Sequence, residues 1–184
     1  MLRSDLLRSD LLRLTRAKVI RYARPAQCLF LCTGNSARSI MAEGILNSKG
    51  KPNFHAYSAG SHPTGAVRPE ALRQLERAHV STSGLRSKSW DEFAGEDAPK
   101  LDFIVTVCDN AAKQVCPVWP GHPVTAHWSI SDPARVRGTQ QQVEEAYREA
   151  FVHLERLISS FLGLPFASLD GLSLNREVEK IGHK

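Results

Sequence analysis

The sequence predicts an α/β fold: a single three-layer domain in which a four-stranded parallel sheet carries helices on both faces. Three observations lead there. Short apolar runs alternate with stretches of helical spacing, the pattern of strand–helix–strand units. The run at 101–107 is apolar enough for a strand buried on both faces. A tight polar loop, Cys32–Ser39, joins a strand directly to a helix, which is where open α/β sheets place their ligands.

Taken in order, Gln27–Leu31 reads as a buried strand. Ile40, Met41, Gly44 and Ile45 fall on helical spacing directly after the loop. Asn53–Ser58 is the second strand, ending in Ser58-Ala59-Gly60. Pro69 opens a helix, as proline does at a first helical position, with Ala71, Leu72, Leu75 and Ala78 turned inward. A polar stretch runs through Trp90 and Phe93 to the third strand at 101–107, and Pro123–Trp128 is the fourth. Thr139 and Gln142 form a capping-box start. From there Val143, Ala146, Tyr147, Ala150, Leu154, Leu157, Ile158 and Phe161 define the clearest helix, which Gly163 and Pro165 end. Leu172, Leu174, Val178 and Ile181 outline a last helix.

The chemistry concentrates in Cys32-Thr33-Gly34-Asn35-Ser36-Ala37-Arg38-Ser39. A loop feeding a helix N-terminus gathers unpaired N–H groups at the positive end of the helix dipole, which suits an anion. Gly34 is expected to turn with positive φ, and Asn35 tolerates the left-handed region. Arg38 adds a planar fork of donors that fits a tetrahedral oxyanion. A cysteine at the mouth of such a cradle is expected to have a lowered pKa, with Ser36 and Ser39 as donors to its sulfur. Nucleophile and cradle in one loop imply in-line attack on a phosphate-like group. The plainer alternative is a strand-end cysteine before an ordinary helix.

The stretch Phe30–Glu43 resembles the phosphate-binding loop of the low-molecular-weight tyrosine phosphatases, and more closely that of the arsenate reductases built on the same fold. The resemblance runs from about Gln27 to the C-terminus. It implies that Cys32 is the nucleophile, that residues 33–39 bind the oxyanion, and that Asp132 in Asp132-Pro133 is the general acid; Asp-Pro alone reads as a turn. Phosphatases of this group usually carry tyrosines after that dipeptide; here Ala134, Arg135 and Val136 follow, which argues against phosphotyrosine. Some of these reductases bind potassium, and the matching positions are Asn35, Glu43, Ser58 and Asp91. Glu43 also reads as a surface helix carboxylate and Asp91 as a helix cap, so no metal is assigned.

Two further cysteines separate the chemistries. Cys108 ends the third strand on the same sheet edge as Cys32, and neighbouring parallel strands lie about 4.8 Å apart. Cys116 follows a polar, alanine-containing segment, before Pro117. If that segment is helical it must unwind before the two sulfurs can bond, because Cα separations above about 7 Å forbid a disulfide. The resemblance to thioredoxin-linked arsenate reductases makes Cys108 the first resolving cysteine and Cys116 the second. It implies no cofactor beyond an external thiol reductant, thioredoxin or glutaredoxin with glutathione. Cys28, mid-strand, reads as core. The cysteines lack the paired short spacings of structural zinc.

The chain has 184 residues and a net charge of +5. Residues 1–24 hold seven basic and two acidic side chains, an excess of five that accounts for the whole balance. Residues 1–25 are therefore a basic extension, flexible or helical, with Leu-Arg-Ser-Asp-Leu written twice. Residues 26–184 are the domain, formally neutral and without a nucleic-acid face. No run approaches the length of a membrane span. We expect a cytoplasmic monomer whose thiols stay reduced. Three functions remain open from sequence: arsenate reductase, phosphomonoesterase, and a non-enzymatic redox sensor.

Overall fold

The computed structural model describes residues 24–95, 97–112, 117 and 119–183. The 1–23 part of the basic extension and Cys116 lie outside them. Four strands, β1 (Ala26–Cys32), β2 (Phe54–Gly60), β3 (Phe103–Thr106) and β4 (Val124–His127), form one parallel sheet in the order β2-β1-β3-β4. Among the described residues the helices are α1 (Arg38–Lys49), α2 (Pro69–Arg77), α3 (Asp109–Ala112), α4 (Gln140–Leu162) and α5 (Gly171–Ile181). This is the architecture expected, and the two most apolar strands, β1 and β3, take the two central places.

Side-chain alternation along β1 divides the core. Cys28, Phe30 and Cys32 face a large cluster with α1, α4 and α5. Leu29 and Leu31 face a smaller one with Ala59, Phe93, Leu101 and Ile104. The long helices thus share one face, while a 3-10 turn, Trp90–Phe93, helps cover the other with Trp119. Phe161 of α4 is a hub: its ring centroid lies 5.1 Å from Phe103, 5.2 Å from Phe166, 5.3 Å from Phe54 and 6.0 Å from Trp128. The indole N–H of the fully buried Trp128 donates to the Val178 carbonyl at 3.1 Å, which ties α5 to the end of β4.

The capping box is present, with Thr139 and Gln142 exchanging side-chain and backbone bonds, and Gly163 caps the other end. One inward assignment is corrected. Ala78 is exposed because α2 stops at Arg77 and Gln74 fills the buried face instead. The last helix, α5, includes all four residues that outline it; Leu174, Val178 and Ile181 face the core and Leu172 is 78% exposed. The Ala78 error extended a periodic pattern past the place where packing ends it.

Truncating the aromatic hub leaves a large cavity between sheet and α4. Phe161→Ala is expected to cost about 3–5 kcal/mol, read from denaturant unfolding; a loss below about 1 kcal/mol would remove Phe161 from that role.

Candidate active site

β1 ends at Cys32, paired with Gly60 of β2, and the loop to α1 begins there. The left-handed residue is Asn35, at φ 42°; Gly34 has no positive φ. Gly34 is needed for space instead, since a Cβ there would lie 3.3 Å from Thr64 Cγ2. The Asn35 side chain is fully buried and spends all its polarity inside. Its amide donates to Ser39 Oγ and Ser58 Oγ, both at 2.9 Å, and its oxygen accepts the Lys88 N–H at 2.8 Å. Gly60 lets the loop close over β2: a Cβ there would meet the Thr33 carbonyl at 2.5 Å. Ala37 precedes α1 without a side-chain cap, leaving the first-turn N–H groups to the loop interior.

Cys32 is 3% exposed at the centre of this cradle. Its sulfur lies 2.9 Å from Ser39 Oγ and accepts the Asn35 N–H at 3.2 Å. Ser39 makes the contact expected of Ser36 or Ser39, while the Ser36 carbonyl accepts from Arg68 N–H at 2.8 Å. The expected fall in the Cys32 pKa is not what this geometry produces. Burial, the largest influence, pushes the thiol up, and nearby Cys108 adds to it; Ser39 and Arg38 pull it down without prevailing. Arg38 is already engaged: one guanidinium nitrogen donates to the Ile130 carbonyl at 3.0 Å, and another pairs with Asp132 Oδ2 at 2.9 Å. A carboxylate beside that guanidinium offsets the charge the sulfur would use.

Asp132 caps the short turn Pro133–Arg135 by accepting the Ala134 N–H at 3.2 Å, so it is both a turn residue and the partner of Arg38. Cys108 stands two residues beyond β3 rather than at its end. Its sulfur receives the Ala111 N–H at 3.4 Å and lies 3.6 Å from the Thr33 hydroxyl. Cys108, Arg38, Asp132 and Arg135 share a cavity of about 200 Å³. Cys28 is fully buried in β1, and burial drives its thiol well above the ordinary range, in keeping with a core role.

Lys88 adds a role that the sequence reading does not contain. Glu43 is buried rather than a surface carboxylate, accepting the Ser58 hydroxyl at 2.6 Å and facing the Lys88 ammonium at 3.4 Å. Burial raises the Glu43 pKa, with Lys88 and Ser58 opposing. Three of the four candidate potassium ligands, Asn35, Ser58 and Glu43, are thus joined in a network that carries its own cation. The fourth, Asp91, bonds the Ser89 hydroxyl at 2.8 Å, and Ser89, not Asp91, is the cap of that turn. Among the described residues no group of three or more His, Cys, Asp or Glu side chains is arranged to hold a metal. Nothing in the local pattern around Lys88 signals this role.

A buried cysteine in a backbone cradle, at the carboxyl edge of a parallel sheet, is the arrangement of the phosphatase-loop class. The sequence matches the low molecular weight phosphotyrosine protein phosphatase family over residues 27–179, and the chain belongs to that family. It is 35% identical over 132 residues to an arsenate reductase of Halalkalibacterium halodurans, covering 72% of this chain and 91% of that protein. The crystal structure of an arsenate reductase from Archaeoglobus fulgidus superposes with a TM-score of 0.59 at 28% identity, over 74% of this chain and 99% of the other. A low molecular weight tyrosine phosphatase from T. tengcongensis gives 0.58 at 26% identity, over 73% and 95%. Among the described residues no helix is long and apolar enough to cross a membrane.

The electrostatics make a testable statement. Alkylation of Cys32 by iodoacetamide, followed by peptide mass, is expected to rise with pH at a midpoint above the ordinary thiol range. Asp132→Asn removes the charge that occupies Arg38, so the midpoint should move down. An unmoved midpoint would mean that the Arg38–Asp132 pair does not govern the sulfur.

Proposed function

We propose that this protein reduces arsenate to arsenite, with Cys32 as nucleophile, Arg38 and the 33–39 loop as oxyanion cradle, Asp132 as proton donor, and Cys108 as resolving thiol. The observation that carries the reading is the second thiol. Phosphoester hydrolysis needs one cysteine, yet Cys108 stands against Thr33 of the same loop and shares a cavity with Arg38 and Asp132. The arsenate reductases among the relatives support the same substrate.

The steps balance. The Cys32 thiol displaces one hydroxyl of the dihydrogen arsenate anion, forming an S–As bond; that hydroxyl leaves as water, carrying the thiol proton. A thiol held protonated by burial is compatible with this step, and in this reading Asp132 passes the proton. Cys108 then attacks Cys32 Sγ. An S–S bond forms, the S–As bond breaks, and its electron pair reduces arsenic from the pentavalent to the trivalent state. The Cys108 proton leaves on arsenite. In this reading Cys116 exchanges into the disulfide and passes it to an external reductant, thioredoxin or glutaredoxin with glutathione. The bidentate fork and point-charge difference make Arg38 irreplaceable by lysine.

Arsenite release is expected with thioredoxin and its reductase or with glutaredoxin and glutathione, tested in turn. Cys32→Ser should release none. Cys108→Ser should stop at an arsenylated Cys32 without external thiol, seen as a mass adduct on that peptide. Arsenite release by Cys32→Ser, or none by the parent with any thiol reductant, would overturn the reading. The phosphatase alternative predicts aryl-phosphate turnover without reductant, and no effect of Cys108→Ser.

A further inference from the structure

At the edge of the cavity that holds Cys108 and Arg38, a group of side chains grips the residue after Cys108. Asp109 Oδ1 lies 3.0 Å from His127 Nε2, and accepts the Ser129 hydroxyl at 2.7 Å. His127 is the last residue of β4 and is itself fixed on two sides. Its Nδ1 lies 2.9 Å from Thr106 Oγ1, and its backbone N–H donates to Glu179 Oε2 of α5 at 2.9 Å. Nε2–H donates to the Asp109 carboxylate, and Nδ1 shares a hydrogen bond with Thr106, whose hydroxyl also reaches the Ala126 carbonyl at 3.4 Å. The Nε2 proton is assigned from the hydrogen-bond network.

Asp109 is the first residue of α3. The Ala112 N–H bonds the Cys108 carbonyl at 3.2 Å, and the Ala111 N–H bonds the Cys108 sulfur at 3.4 Å. The Cys108 carbonyl and sulfur are thus both tied to the start of α3, and Asp109, its first residue, joins that start to the end of β4. An exposed carboxylate pair adds little to global stability. Two donors, one at the end of β4 and one just beyond it, meet at one oxygen and instead restrict direction.

We propose that His127 and Ser129 form a clamp on Asp109 that aims Cys108 at Cys32. They are positioning residues for thiol exchange. The inference rests on the reading that Cys108 resolves Cys32, and its test is kept independent of arsenate. The reaction is oxidation by diamide: Cys32 and Cys108 give up two protons and two electrons, diamide takes both to become the hydrazide, and the S–S bond forms. Working in a Cys116→Ser background prevents onward exchange, and peptide mass identifies the bond.

His127→Ala and Ser129→Ala are each expected to slow Cys32–Cys108 bond formation about tenfold, the scale of one lost hydrogen bond to a charged group. His127→Gln, which restores an N–H donor, should return to within about threefold of the parent. Protection of Cys32 from iodoacetamide by inorganic phosphate should be unchanged in all three. Parent-rate bond formation in Ser129→Ala and His127→Ala overturns the clamp. If His127→Ala also loses phosphate protection, Ser129→Ala decides alone, since it removes one hydroxyl from an exposed position. A parent that forms the bond with diamide but releases no arsenite keeps the clamp and removes the arsenate reading. A parent that never forms the bond removes both.

Discussion

The site depends on one residue held in an unfavourable conformation. Asn35 sits in the left-handed region, and its amide makes three buried hydrogen bonds to Ser39, Ser58 and Lys88. Those bonds connect α1, β2 and the segment before Trp90, so the loop's shape is fixed by three distant parts of the chain. Ser39 then reaches the Cys32 sulfur, and Ser58 reaches Glu43. A bond in such a network adds only about 1 kcal/mol net, but a member left unpaired costs about 1–3 kcal/mol. The network therefore stands or falls as a unit. Lys88 makes it viable: without its ammonium, the Glu43 carboxylate would be a buried charge with no counter-charge in the network, which is strongly destabilising.

Charge at the mouth is a competition for Arg38. Asp132 and the Ile130 carbonyl hold its guanidinium, and burial raises the Cys32 thiol. In the proposed reaction an oxyanion would compete with the same carboxylate for the same fork. The arrangement favours a thiol that loses its proton as it reacts over one that is permanently ionised.

Much of this was legible in the sequence. The apolar runs marked the strands, and Pro69 and the Thr139–Gln142 pair marked helix starts, because each is a local signal. The loop was legible because strand, glycine, arginine and helix follow one another over a short stretch. What failed was non-local. Periodicity suggested that Ala78 was buried, and only packing shows where a buried face ends. Gly34 was the natural candidate for a positive φ; Asn35 takes it because its side chain finds three partners that glycine lacks. Lys88 lies 45 residues from Glu43 in sequence, in a polar stretch without pattern, and the Arg38–Asp132 pair joins residues 94 apart.

The central claim is that the Asn35 side chain presets the cradle. The most direct measurement is the affinity of Asn35→Ala for inorganic phosphate by calorimetry, beside its denaturant midpoint. The account predicts binding weakened by about tenfold to a hundredfold, with the variant still folding cooperatively. Parent-like phosphate affinity in a folded Asn35→Ala protein would contradict it.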